Sequence, residues 1–205
     1  MPYRETALGL ALLAVLLAGA TGCKVQVNKS GDREADNVKI ATPFGGIDIN
    51  KNQTSPADLG LPAYPGAVLD TANDGNQSAR VDMEFGSWKL RVKAAHYTTS
   101  DSRDKVLAFY RHALSAYGGV IECEGDKVMG TPVVTVEGLS CGNSDSERSI
   151  PHGNFSSDDL ELKAGSPRHQ HIVVLHGGAG SAATHFSLVA LDLPHMPGSE
   201  QQGTN

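Results

Sequence analysis

The sequence predicts an α+β domain, a mostly antiparallel β-sheet with one principal helix packed across one face. Several short segments alternate apolar and polar residues, which is typical of half-buried antiparallel strands. Only one segment, from about residue 102 to 117, has the spacing of an amphipathic helix. The chain has 205 residues, 40% of them hydrophobic, with 23 glycines and 10 prolines, so it suits one main domain of short strands joined by many turns.

The N-terminal segment has the features of a secretory signal peptide, because an apolar run at residues 7–18 is followed by small residues. The segment Ala20-Thr21-Gly22-Cys23 resembles the lipobox of bacterial lipoproteins, and that resemblance implies a lipid on the Cys23 thiol. Lys24 follows the cysteine, which by the same resemblance favours the outer membrane. Secretion without lipid and an uncleaved helical anchor remain the alternatives. No later run is long and apolar enough to span a membrane.

We divide the chain into a series of segments on composition and pattern. They are a signal peptide (1–22), a lipidated cysteine with a flexible polar tether (23–37), a β-hairpin and linker (38–57), the α+β domain (58–194) and a disordered tail (195–205).

Strands are predicted wherever apolar residues recur at every second position. Within the α+β domain these segments are 79–85, 88–97, 120–124, 132–137, 160–164, 171–176 and 186–193. The helix begins after Ser100-Asp101-Ser102, which can cap free amides, and ends at Gly118-Gly119. Its apolar stripe predicts a core face formed by Val106, Leu107, Phe109, Tyr110, Ala113, Leu114 and Tyr117.

Two short motifs suggest a family. Tyr64-Pro65-Gly66-Ala67 is followed by a predicted hairpin and then by Lys105-Val106-Leu107-Ala108-Phe109-Tyr110-Arg111. This arrangement resembles a module found in uncharacterised predicted bacterial lipoproteins and covers roughly residues 58–195. The resemblance implies the same fold and envelope location, and it implies no particular activity.

The cysteine count predicts a disulfide. If lipid occupies Cys23, then Cys123 and Cys141 remain as an even pair in an oxidising compartment. We expect them to be joined through antiparallel pairing of the segments 120–124 and 132–137. Two buried free thiols are the alternative.

Two motifs are typical of esterases, but their context argues against catalysis. Gly138-Leu139-Ser140-Cys141-Gly142 matches a nucleophile elbow, and His176-Gly177-Gly178-Ala179-Gly180 matches an oxyanion loop. No amphipathic helix follows Ser140, and the oxyanion motif comes after the nucleophile instead of before it. A serine hydrolase would use Ser140 with His176 or His185 as the base and Asp158 or Asp159 to orient that base.

A metal or small-ligand carrier is a third possibility, because His169 and His171 share one face of a predicted strand. His176 and His185 flank the turn that follows, and His169 and His176 fall on opposite faces by parity, so one site cannot use all four histidines. We therefore assign no catalytic, metal-binding or cofactor-binding residue. The formal net charge of -6 without a basic cluster argues against nucleic acid. The function we expect is that of a non-catalytic, lipid-anchored envelope protein that binds a protein or cell-wall partner.

Overall fold

A computed structural model of the chain describes residues 23–28, 37–51, 54–70, 77–141, 159–177 and 183–194. Within these ranges there is one α-helix, α1 (Arg103–Leu114), and 3-10 turns lie at Ala57–Leu59 and Ser115–Tyr117. The strands are β1 (Lys24–Asn28), β2 (Asn37–Thr42), β3 (Gly45–Lys51), β4 (Val68–Leu69), β5 (Ser78–Phe85), β6 (Trp88–Thr99), β7 (Ile121–Glu124), β8 (Lys127–Val128), β9 (Leu160–Ser166), β10 (His169–His176) and β11 (Thr184–Asp192).

The described strands form a single antiparallel sheet. Its order is β1-β2-β3-β5-β6-β11-β10-β9-β7-β8, and β4 pairs separately with β6. The longest strand, β6, lies near the middle and pairs with β5 on one side and β11 on the other. The predicted architecture of a mostly antiparallel sheet with one helix is therefore confirmed.

Helix α1 packs on β9 and β10, on one face of the sheet, and closes the main core. Its residues Val106, Tyr110 and Leu114 are fully buried. They share a hydrophobic cluster with Tyr97 and Phe186, among other sheet residues. The apolar spacing in the sequence thus identified the buried side of the helix correctly.

The opposite face of the sheet, here called the far face, carries a second, smaller core at the β7 edge. Strand alternation places Ile121 and Cys123 on the far face. There they cluster with Leu139, Cys141 and Val128. The segment 129–141 therefore folds over the far face, whereas α1 covers the other.

The sequence interpretation was wrong for the segment 132–137, which is not a strand. Within it only an isolated bridge joins Val134 to Ser140, and the Thr131–Pro132 peptide is cis. Proline has no N–H to donate to a ladder, so a continuous strand is disfavoured here. The partners of β7 are instead β8 and β9.

The structure also differs from the predicted flexible tether after Cys23. Lys24–Asn28 form the edge strand β1 and pair with β2. Val25 and Val27 lie opposite Ile40 and Val38, so apolar cross-strand pairs favour this register. The predicted signal peptide, the rest of the tether at 29–36 and the tail at 195–205 lie outside the described residues.

Candidate functional site

Cys23, the residue predicted to carry lipid, is exposed and has a free thiol. It immediately precedes β1, so no intervening linker separates it from the sheet. In the described part of the chain, no helix is long and apolar enough to cross a membrane. Any attachment through this residue would act directly on the edge of the sheet.

The predicted disulfide between Cys123 and Cys141 is confirmed. The Sγ atoms are 2.00 Å apart and the Cα atoms 5.5 Å apart, across a sequence separation of 18 residues. The expected reason was wrong, because Cys141 reaches β7 by way of a folded loop and not by way of a paired strand. The bridge closes residues 124–140 into a loop fixed at the β7 edge.

Residues 129–140 of this loop, here called the braced loop, are held by several backbone contacts. The Thr135 N–H donates to the Leu139 carbonyl at 2.9 Å, and the Leu139 N–H donates to Thr135 Oγ1 at 3.0 Å. The Glu137 carboxylate accepts the Gly119 N–H at 3.2 Å. The N–H groups of Glu137 itself and of Gly119 lower the pKa of the Glu137 carboxyl. The braced loop is thus fixed by hydrogen bonds within it and by a hydrogen bond to Gly119, which lies outside it.

The braced loop directs apolar side chains into solvent although its anchoring residues Thr135 and Leu139 are buried. Val136 is 99% exposed, Val133 62% and Val134 54%. Met129, at the start of the loop, is also exposed. Such a cluster of exposed apolar side chains on an ordered loop is a feature of binding surfaces.

A chain of polar side chains, two buried (Asp159 and Ser187) and two half-buried (His96 and His176), lies on the far face where β6, β11 and β10 meet. His176 Nδ1 is 3.1 Å from Asp159 Oδ2, and His176 Nε2 is 2.6 Å from Ser187 Oγ. His96 Nδ1 is 2.7 Å from the same hydroxyl oxygen. The order Asp159, His176, Ser187 is that of a catalytic triad, with a second imidazole on the serine.

The surroundings of Ser187 are unsuited to nucleophilic attack. Ser187 is only 2% exposed, so a substrate would have little access to its hydroxyl group. Ser187 also lies within β11, which is paired on both sides, so the neighbouring N–H groups belong to ladders and are not free to form an oxyanion hole. The Ser187 hydroxyl is also held by a second imidazole, because His96 Nδ1 lies 2.7 Å from it. The arrangement therefore fits a structural network better than a reaction centre.

The residues of the hydrolase alternative do not come together as that alternative requires. Ser140 lies in the braced loop beside Cys141, while the ring nitrogens of His176 contact Asp159 and Ser187. His185 Nδ1 is 2.7 Å from Asp70 Oδ2. The expected pair of His176 and Asp159 does form, but with Ser187 in the position proposed for Ser140. Asp158 lies outside the described residues.

The histidines of the metal alternative contact other groups. His169 Nδ1 is 2.9 Å from Asp192 Oδ1, and His171 Nδ1 is 2.9 Å from the Leu59 carbonyl oxygen. The His171 ring stacks on Tyr117 with centroids 3.7 Å apart. His169 and His171 both line a cleft of about 260 Å³. Among the described residues, no group of three or more His, Cys, Asp or Glu side chains could hold a metal ion.

Two histidines predict loss of stability in mild acid. Burial, and secondarily nearby His176, lowers the pKa of His96; burial also lowers the pKa of His171. Below the ordinary pKa of 6.5, these imidazoles bind protons in the unfolded chain but not in the folded one. The free energy of unfolding therefore falls as the pH falls. We expect the Tm to fall from pH 7.5 to 5.5, and His96→Gln to make that decline shallower. A Tm that rises over this interval would contradict the assignment.

The far face is apolar over the strands nearest β1. Its half-buried residues there are Val38, Ile40, Ile47, Ile49, Val81, Met83, Leu90 and Val92. The ion pairs of the same strands lie on the other face, where Lys39 pairs with Asp48 and Asp82 pairs with Arg91. Within the described ranges, α1 and the braced loop do not pack on this part of the sheet. The structure thus presents two apolar surfaces, one near each lateral edge of the sheet.

Comparison of this chain with family models, with curated proteins and with solved structures finds no match. The function of the chain is therefore inferred from its own geometry and sequence motifs.

Proposed function

We propose that this chain is a lipid-anchored protein of the bacterial envelope that acts by binding a partner and not by catalysis. Cys23 carries the lipid, at the outer membrane facing the periplasm or the surface, and the sheet domain presents the binding surface. The sequence support is the apolar run at residues 7–18 followed by the lipobox-like segment ending at Cys23.

The proposed binding role is supported mainly by the exposed apolar side chains of the braced loop. Val133, Val134 and Val136 are exposed on a segment that is closed by a disulfide and fixed by buried hydrogen bonds. A loop held in one conformation loses little conformational entropy when a partner binds. Exposed valines complement an apolar surface, so they favour a protein partner over a polar cell-wall polysaccharide.

The topology supports a division between the anchored edge and the binding edge. β1 and β8 are the two ends of a ten-stranded path, so nine inter-strand spacings separate them. At about 4.8 Å for each spacing, the path measures about 43 Å along the sheet before twist shortens it. Lipid at Cys23 would therefore leave the braced loop free to meet a partner.

Photocrosslinking in cells tests this role. We expect a photoreactive residue at Val136 to give a discrete adduct with a protein partner, because Val136 is the most exposed of the loop's valines, at 99%. The same residue at Ala108, exposed on α1, is the matched control and should give no such adduct. Removing the bridge with Cys123→Ala and Cys141→Ala should weaken the adduct at Val136. Equal labelling at Val136 and Ala108 would contradict a dedicated binding loop.

A further inference from the structure

We propose that the end of the sheet carrying Cys23 contacts the lipid bilayer directly, through the aromatic tips of two hairpins. This inference rests on the proposed anchoring at Cys23. It adds a second membrane contact, made by side chains of the folded domain, to the contact made by the lipid.

Strand register brings the tips and the anchor to the same end of the sheet. Lys24 pairs with Ala41, so Cys23 lies at the end of the sheet where β2 turns into β3. Across the next pair of strands, Gly45 lies opposite Phe85. Phe85 in turn pairs with Trp88 at the hairpin of β5 and β6. Cys23 and both hairpin turns are therefore aligned along one margin of the sheet.

The side chains at these turns are aromatic and accessible. Phe44, in the turn between β2 and β3, is 84% exposed. Phe85 is 41% exposed, and its ring centroid is 6.1 Å from that of Trp88, which is half-buried. Tryptophan is enriched where protein meets the interface between water and lipid, and phenylalanine is typical of the apolar side of interfacial segments. The margin beside Cys23 thus has the composition of a membrane contact.

The apolar far face continues from this margin. Phe85 and Trp88 share the far face with Met83 and Leu90, the next cross-strand pair. On β1, exposed Val25 belongs to the same surface, opposite Ile40. A bilayer that receives the tips would therefore meet further apolar side chains along the strands, while the ion pairs of the other face stay in water.

The position of Cys23 favours a membrane, and not a second copy of the domain, as the partner of this apolar margin. Residues 1–22, including the apolar run at 7–18, form the proposed signal peptide, and its cleavage would leave Cys23 as the lipidated first residue of the mature chain. Because β1 begins at the next residue, a lipid on Cys23 would hold this margin at the bilayer surface. A second copy packed face to face would cover the strands but would leave Phe44 at its rim.

The charges near this margin indicate whether the membrane contact would be apolar or electrostatic. The ion pair of Lys89 and Glu84, with Nζ 2.8 Å from Oε1, balances charge beside the β5–β6 turn. Lys24 adds one positive charge at β1. Insertion of aromatic side chains, and not attraction to anionic lipid, should therefore dominate, so the contact should form on a zwitterionic bilayer.

Trp88 is the single tryptophan of the chain, so its fluorescence reports this contact without interference. The full lipidated protein is reconstituted in phosphatidylcholine vesicles with plain or brominated acyl chains and recovered by flotation. We expect bromine to reduce Trp88 emission in the wild type. Phe44→Ser with Phe85→Ser should reduce that quenching. Val68→Ser is the matched control and should leave the quenching unchanged, because exposed Val68 pairs with Thr98 at the opposite end of β6.

The outcomes separate this contact from the anchor. Protein that floats with the vesicles but shows no bromine quenching would overturn the contact and leave the anchor standing. Protein that does not float would overturn the anchor and the contact that rests on it. Emission that is shielded from both bromine and acrylamide, and that becomes accessible to acrylamide as protein is diluted in the vesicles, would show that a second copy covers the face and would overturn the membrane assignment.

Discussion

Phe186→Ala is expected to lower the free energy of unfolding by about 3 to 5 kcal/mol, because it removes a large ring from a fully packed site. Phe186 is 1% exposed on β11. Its ring centroid lies 5.6 Å from those of Tyr97 and Tyr110 and 6.2 Å from that of Tyr64. It therefore connects the helix, the sheet and the segment that enters the domain. Denaturant unfolding of the purified protein measures the effect.

Phe44→Ala is the matched control, since it removes the same ring from a side chain that is 84% exposed. An exposed substitution of this kind usually changes stability by no more than about 0.5 kcal/mol. If the two variants were equally stable, Phe186 would not be the centre of the core, and the packing of α1 against β11 would have to be reconsidered.

Replacing both Cys123 and Cys141 with alanine is expected to cost about 3 kcal/mol, since the bridge restricts a loop of this size in the unfolded chain. The two cysteines are separated by 18 residues and belong to the smaller core with Ile121 and Leu139. Their loss should therefore destabilise the β7 edge and release the braced loop. Thermal and denaturant unfolding under non-reducing conditions measure the change.

Reduction provides the control for this variant. A reducing agent should destabilise the wild type and should leave the alanine variant unaffected, because the variant has no bridge to lose. Cys23→Ala should unfold like the wild type, since Cys23 is exposed and outside both cores. An alanine pair as stable as the oxidised wild type would show that the bridge does not brace the loop.

The elements predicted correctly from the sequence are those that the residues of a single segment are enough to identify. The spacing of Val106, Tyr110 and Leu114 identifies a buried helical stripe without reference to any other segment. Turn residues flanked by alternating segments likewise predicted the hairpin of β2 and β3. Pairing of Cys123 with Cys141 followed from the count of cysteines, even though the expected strand pairing was wrong.

The features that could not be predicted from the sequence depend on contacts between segments that are far apart in the chain. The apolar positions of β6 change parity along the strand, so Trp88 and Val92 lie on the far face while Ala95 and Tyr97 contact the main core. Alternation indicated that one face of each segment is apolar, but not which face α1 covers. An edge strand such as β1 also depends on its partner β2 for its stability.

The polar chain was found only in part for the same reason. His176 and Asp159 were named together in the hydrolase alternative, but Ser187, which stands between apolar Phe186 and Leu188, gave no signal in the sequence. Its contacts come from register, which places Ser187 directly opposite His96 across β11 and β6. Register between segments 91 residues apart is set by the whole sheet and cannot be read from either segment alone.

Metabolic labelling of cells with an alkyne analogue of palmitate tests lipid attachment through Cys23. We expect the wild-type chain to become labelled and Cys23→Ser, with Cys123 and Cys141 intact, to remain unlabelled. The substituted thiol is exposed and outside both cores, so loss of the label would not reflect misfolding. An unlabelled wild type, or a Cys23→Ser chain labelled as strongly as the wild type, would show that Cys23 does not carry lipid.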